Sequence, residues 1–141
     1  MVTEMEETKT EEPEFPKYFI DIDWHLGQRR SFKALLRSRI LLLGGEKVVA
    51  GIMKKDDRKI LSAVAKVKFN DDEFIPPDLP IMEAVFRLFM TVGNRPMTPV
   101  EIRDLLMEWW REVGPYRDLE PQSLNRMIDN DEFYGFRQAP V

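Results

Sequence analysis

The sequence predicts a mainly α-helical protein in two parts: a small helical N-terminal unit carrying one extended segment, and a longer three-helix C-terminal part. Three observations lead there. Apolar residues recur at helical spacing in five separate segments, those segments are punctuated by capping residues, glycines and prolines, and period-two alternation is confined to one short stretch from Tyr18.

Residues 1–16 are rich in Glu and Thr, contain Pro13 and Pro16 and show no periodicity, so they read as a disordered acidic tail. From Tyr18 the pattern alternates. Ile20, Ile22, Trp24 and Leu26 point one way and Phe19, Asp21, Asp23 and His25 the other, as in a half-buried extended segment. Ser31 is placed to cap a helix in which Phe32, Leu35, Leu36, Ile40 and Leu43 form the apolar face, and Gly44-Gly45 is its stop. Glu46 to Met53 suits a short strand or a helical turn equally well. Asp56 or Asp57 then caps a helix with Ile60, Leu61, Val64 and Val67 inward, which completes a basic unit over 17–69. Residues 70–80, with Asn70-Asp71-Asp72-Glu73 followed by Pro76, Pro77 and Pro80, read as a linker.

The C-terminal part, residues 81–138, is punctuated more sharply. Ile81, Val85, Leu88, Phe89 and Val92 make a helix closed by Gly93-Asn94, and Arg95-Pro96-Met97 is a short extended link. Thr98-Pro99-Val100-Glu101 is a capping box: the threonine hydroxyl accepts from the Glu101 amide, the carboxylate reaches back, and Pro99 already has a helical φ. Ile102, Leu105, Leu106, Trp109 and Val113 follow before Gly114-Pro115. Pro121 opens a third helix with Leu124, Met127 and Ile128 inward. Asn130-Asp131 ends it, and 133–137 reads as a strand expected to pair with 95–97.

Composition bounds the function. The 141 residues are 43% hydrophobic and 11% aromatic, enough to bury a core. There is no cysteine, which removes disulfide frameworks and thiolate metal sites and fits a reducing compartment. The N-terminus carries no apolar run of signal-peptide type, and Ile40 to Leu43 is far below the ~18 residues of a membrane span. A soluble, cytoplasmic protein with no membrane partner is expected. The net charge of −4 hides an asymmetry: residues 28–68 hold twelve Lys/Arg against three Asp/Glu, a net +9, while 1–23 carry −6, 69–94 carry −4 and 95–141 carry −3.

Three helices, a short link after the first and an aromatic strand after the third resemble a winged helix-turn-helix. The run Arg95 to Ile102 resembles the entry to the second helix of HARE-HTH domains and of the delta subunit of bacterial RNA polymerase. The resemblance covers residues 79–138 and implies a truncated winged helix: the Gly114–Glu120 loop is longer than a strict helix-turn-helix allows, and the single strand leaves no room for a full wing. Residues 17–69 resemble no family in this way.

For such a scaffold the third helix is the natural groove reader, and Gln122, Asn125 and Arg126 are residue types that read base edges. Glu120, Asp129, Asp131 and Glu132 surround that lone arginine, however, and a net −3 repels phosphate. The basic middle is the better phosphate site. Arg29 and Arg30 lead into it, Arg30, Lys33 and Arg37 lie three and four apart on one helix side, and Lys54, Lys55, Arg58 and Lys59, with Lys66 and Lys68, make a second cluster. A solvated face balanced by the protein's own acids is the competing reading. Trp110 and Tyr116 are the residues for a protein-binding patch, against simple packing under the 114–120 loop. Asp21, Asp23 and His25 offer ligand types on one face, but adjacent acids are common on solvated strands and His25 is the lone histidine. No nucleophile–base pair or Gly-rich phosphate loop is legible. The expectation is a non-catalytic nucleic-acid-associated or transcription-associated factor without cofactor, metal or small-molecule substrate. The alternative is a protein–protein interaction module on a winged-helix scaffold.

Overall fold

The computed structural model describes residues 14–67, 74–110 and 119–140. It is mainly helical with one small antiparallel sheet. In chain order the elements are β1 (Tyr18–Ile20), α1 (Ile22–Gly27), α2 (Phe32–Met53), a 3-10 turn (Asp57–Lys59), α3 (Ile60–Ala65), α4 (Ile81–Thr91), α5 (Pro99–Trp110), α6 (Pro121–Asp129) and β2 (Phe136–Gln138). The expected disordered tail lies outside the described residues except for 14–16, which form no regular element.

The N-terminal part departs from its alternating pattern after Ile20. The Asp21 carboxylate accepts from the Trp24 amide at 3.3 Å and starts α1. A side-chain cap therefore overrides the period of two. The helix turns His25 inward to 1% exposure and leaves Leu26 47% exposed, opposite to the strand expectation. Ser31 does cap α2, its Oγ accepting from Ala34 N at 3.1 Å. Gly44-Gly45 bends this helix instead of ending it: Gly45 takes φ 74° and ψ −166°, a conformation glycine reaches cheaply, and the chain then resumes helix to Met53. The ambiguous stretch 46–53 is thus helical, with Val49 and Ile52 buried one turn apart. Neither Asp56 nor Asp57 caps α3 as expected. A 3-10 turn intervenes, the Asp56 side chain makes no capping bond, and Asp57 pairs with Lys33.

The C-terminal helices follow their punctuation. The capping box closes as expected, Glu101 N to Thr98 Oγ1 at 3.2 Å and Thr98 N to Glu101 Oε1 at 3.1 Å. The terminal strand is the correction. β2 begins only at Phe136, because Asp131 gathers the preceding backbone into a turn: its Oδ1 accepts from the Phe133 and Tyr134 amides and its Oδ2 from those of Gly135 and Phe136, all within 3.0 Å. β2 then pairs not with 95–97 but with β1, Tyr18 opposite Gln138 and Ile20 opposite Phe136. β1 in turn exchanges two hydrogen bonds with Met97, at 2.8 and 3.0 Å. On the same side the Asn94 carboxamide mimics a strand, accepting from Ile20 N and donating to Ile20 O.

One hydrophobic cluster joins both parts, from Phe32, Leu36 and Ile40 of α2 through Ile60 and Val64 of α3 to Phe86, Phe89, Ile102, Leu106 and Ile128. Phe74 and Ile75, within the stretch that reads as a linker, are buried in it. At its margin the Glu83 carboxylate receives Arg39 twice, at 2.8 and 2.6 Å, Arg87 at 2.9 Å and the Tyr134 hydroxyl at 2.9 Å, so α2, α4 and the Asp131 turn meet on one anion. Burial by itself raises the Glu83 pKa, but the bonds from Arg39, Arg87 and Tyr134 outweigh it and hold the group at about 2. Burial and the neighbouring Glu83 push Tyr134 up to about 12.

Glu83→Gln leaves two half-buried guanidinium groups short of their counter-ion, and by analogy with broken buried pairs it should cost about 3 kcal/mol in urea unfolding. Because the folded pKa lies below the ordinary 4.5, the Glu83 contribution is complete above pH 4.5 and is lost as pH falls toward 2. The acid limb of the stability profile should therefore flatten in that window in the variant.

Candidate nucleic-acid interface

The bend at Gly45 sets the second half of α2 beside α3. Val49 and Ile52 anchor one helix to the core and Ile60, Leu61 and Val64 the other. What remains outward forms a groove of about 660 Å³ with Lys47 and Lys55 on one wall and Lys59 and Lys66 on the other. All four lysines are exposed. No Asp or Glu is among the lining residues, and no ion pair among the described residues involves these lysines. Gly51 and Ser62 keep the walls low, and a Cβ added at Gly51 meets nothing within 4 Å. Four like charges focused on one concavity attract a polyanion, and among the described residues no ion-paired acid has to be displaced first.

The remaining basic candidates are placed differently. Lys33 pairs with Asp57 at 3.5 Å, Arg37 with Glu46 at 3.3 Å and Arg58 with Asp23 at 2.7 Å. The Arg37 and Arg58 pairs are largely solvated and each is worth about 0–1 kcal/mol. Arg30 donates to the Phe133 carbonyl at 3.2 Å and lies 5.6 Å from the ring centres of both Trp24 and Phe133, which gives it a packing role. Arg29 is exposed at φ 57°, closing α1 where a glycine would sit without strain: its amide bonds to Leu26 O and that of Arg30 to His25 O. Lys54 is exposed on the turn after α2. Lys55 and Lys59 thus belong to the groove, whereas Arg30, Lys33, Arg37 and Arg58 have intramolecular partners. Lys47 was missed by sequence reasoning, and Lys66 was noted only as part of a cluster. The available signal was Lys47 and Gly51 four apart with Lys55 just beyond, which carries meaning only once 46–53 is known to be helical.

On α6, Gln122 and Arg126 are exposed, but Asn125 is half-buried and its Oδ1 accepts from the Tyr18 hydroxyl at 2.9 Å. The same hydroxyl reaches Asp129 at 3.2 Å, and burial together with that carboxylate raises Tyr18 to about 12. Asn125 is therefore engaged in holding β1 against α6. Trp110 is a correction. It is 1% exposed and donates from Nε1 to the Ile75 carbonyl at 2.9 Å, because Ile102, Leu106 and Trp110 make the inward stripe and Trp109 is the partly covered one. It offers no surface to a partner. Tyr116 lies outside the described residues.

Asp21, Asp23 and His25 are dispersed, since Asp21 caps α1, Asp23 faces Arg58 and His25 is enclosed. The His25 ring sits 5.0 Å from Trp24 and 4.9 Å from Phe32 between ring centres. Nε2 donates to the Tyr134 carbonyl at 2.6 Å, so Nδ1 is the unprotonated nitrogen, buried without a partner among the described residues. Gly135, at φ 89°, closes over the ring, and a Cβ there would lie 2.5 Å from Nε2. Burial lowers the His25 pKa below 6.5 and Arg30 lowers it further, against opposing effects of the Tyr134 carbonyl, Asp131 and Asp21.

No protein-family model matches the chain, and no curated protein and no solved structure matches it. No helix among the described residues is long and apolar enough to cross a membrane.

Because folding depresses the His25 pKa, its contribution to stability is complete above pH 6.5 and is lost as pH falls below that value toward the folded pKa. Urea midpoints measured from pH 7.5 to 5 should decline in the native protein. His25→Gln keeps an N–H donor without a titrating ring, and its midpoint should be flat over that range.

Proposed function

We propose that this protein is a non-catalytic nucleic-acid-associated factor, of the transcription-associated kind, that holds phosphates in the groove between α2 and α3. The observation that carries the reading is the pairing of two lysine-bearing walls with no carboxylate among the lining residues. Lysine meets phosphate as a compact point charge on a flexible stem, which suits backbone contact without base reading. The partial engagement of Asn125 and the acidic neighbours of Arg126 argue in the same direction, away from α6 as a sequence reader.

We read residues 81–138 as a truncated winged helix. α4, the link at 95–97, α5, α6 and β2 follow one another in that order, and β1 supplies the strand beside Met97 that a wing would otherwise bring. The alternative, a protein–protein module on the same scaffold, loses Trp110 as its anchor. Among the described residues it retains scattered exposed apolar side chains such as Met127 and Phe133, and Tyr116 lies outside them.

Fluorescence anisotropy with a labelled random-sequence DNA tests the reading. Binding at low salt should weaken as salt rises, with a slope of log affinity against log salt of about 3 to 4 if four phosphates are neutralised on duplex at ~0.9 each. Replacing Lys47, Lys55, Lys59 and Lys66 by Ala should remove most of the affinity and flatten that slope. Changing Gln122 and Arg126 to Ala should leave both nearly unchanged. A native protein that binds no nucleic acid at low salt would overturn the proposal and leave the interaction module in its place.

A further inference from the structure

We infer that the lysine groove takes double-stranded nucleic acid, held by its sugar–phosphate backbones, in preference to single strands. The inference rests on the phosphate-binding reading above and adds the substrate class.

Single-strand sites combine a positive track with aromatic side chains on which bases stack, and each stacked base contributes roughly 1–3 kcal/mol. None of the residues lining this groove is aromatic. Val48, Ile52 and Ala63 make its apolar surface, and none presents a ring face to a base. The aromatics of the described residues are committed elsewhere. Phe32, Phe86, Phe89, Trp110 and Phe136 are in the core, and the exposed Phe133 packs against Tyr134 and Arg30. Among the described residues, then, a single strand finds charge here but no stacking platform.

Charge alone favours the duplex. Its two strands together carry a phosphate every ~1.7 Å of axis, twice the density of either strand, and each neutralised phosphate releases more counter-ion (~0.9 against ~0.7). The groove carries cations on both of its walls. Lys47 lies on α2, and Lys55 follows it eight residues later in the turn just past the helix end at Met53. Lys59 and Lys66 flank α3 on the facing wall. Lysines on both walls let the groove meet phosphates from two strands, whereas a lone strand offers one line of charge. All four cations are lysine, without the planar fork that arginine uses to read guanine edges, so the preference is for the duplex form and not for its sequence.

Competition anisotropy with the full chain tests this, using a 25-base-pair random duplex, each of its separate strands and oligo(dT) of equal length at one low salt concentration. The duplex should bind at least tenfold more tightly than any single strand. Gly51→Glu places a carboxylate between Lys47 and Lys55 at a helical position with open space, so the fold should survive, as judged by an unchanged urea midpoint, while duplex affinity falls at least tenfold. Equal or tighter binding of the single strands would overturn the duplex inference and leave phosphate binding standing. Absence of binding to every probe would overturn both. A duplex preference that persists unchanged in Gly51→Glu and in the four-lysine variant would overturn the assignment to this groove.

Discussion

The placement of one three-residue strand constrains most of this molecule. Tyr18–Ile20 bonds to Met97 and the Asn94 side chain on one edge and to β2 on the other, and it sends Tyr18 and Ile20 into the core. Without it, the link after α4 and the strand after α6 would each present unpaired N–H and C=O groups beside a dry interior, at a cost of about 1–3 kcal/mol per buried group. The Tyr18 hydroxyl then reaches α6 through Asn125 and Asp129. The N-terminal segment is thus a structural part of the C-terminal helices. The Asp21 cap that starts α1 follows it directly.

Two buried polar centres complete that arrangement. Asp131 satisfies four successive amides and so fixes the approach to β2, while His25 holds the Tyr134 carbonyl from the other side. Glu83 collects two arginines and Tyr134 from three separate elements. Groups of this kind are costly to bury unpaired, so they favour the single packing in which all of them are met. The Nδ1 of His25 is the exception: it has no partner among the described residues, and burial makes this corner sensitive to acid.

Local physics was legible in the sequence and distant pairing was not. The capping box at Thr98–Glu101, Pro121 at the head of α6 and Ser31 before α2 each act within four residues, and all three mark helix starts in the structure. The partner of β2 lies more than a hundred residues away, and nothing in the run 133–137 distinguishes Met97 from Tyr18 as its neighbour. Asp21 illustrates the middle case: as a cap it wins over an alternating pattern that extends to Leu26, and so it inverts the sides of His25 and Leu26. The basic character of the middle segment was equally plain, but not its division. Lys33, Arg37 and Arg58 meet acids that are near in space, and Lys47 joins the groove only because Gly45 bends the helix without ending it.

Native-state amide hydrogen exchange at Tyr18, Ile20 and Met97 tests the central role of β1 most directly. If the strand is an integral layer between Met97 and β2, these amides exchange only through global unfolding. Their protection then equals that of the slowest amides in α4 and α5 and declines with urea along the same slope. Rapid exchange at all three positions, while α4 and α5 stay protected, would mean that the strand opens independently and would contradict this account of the fold.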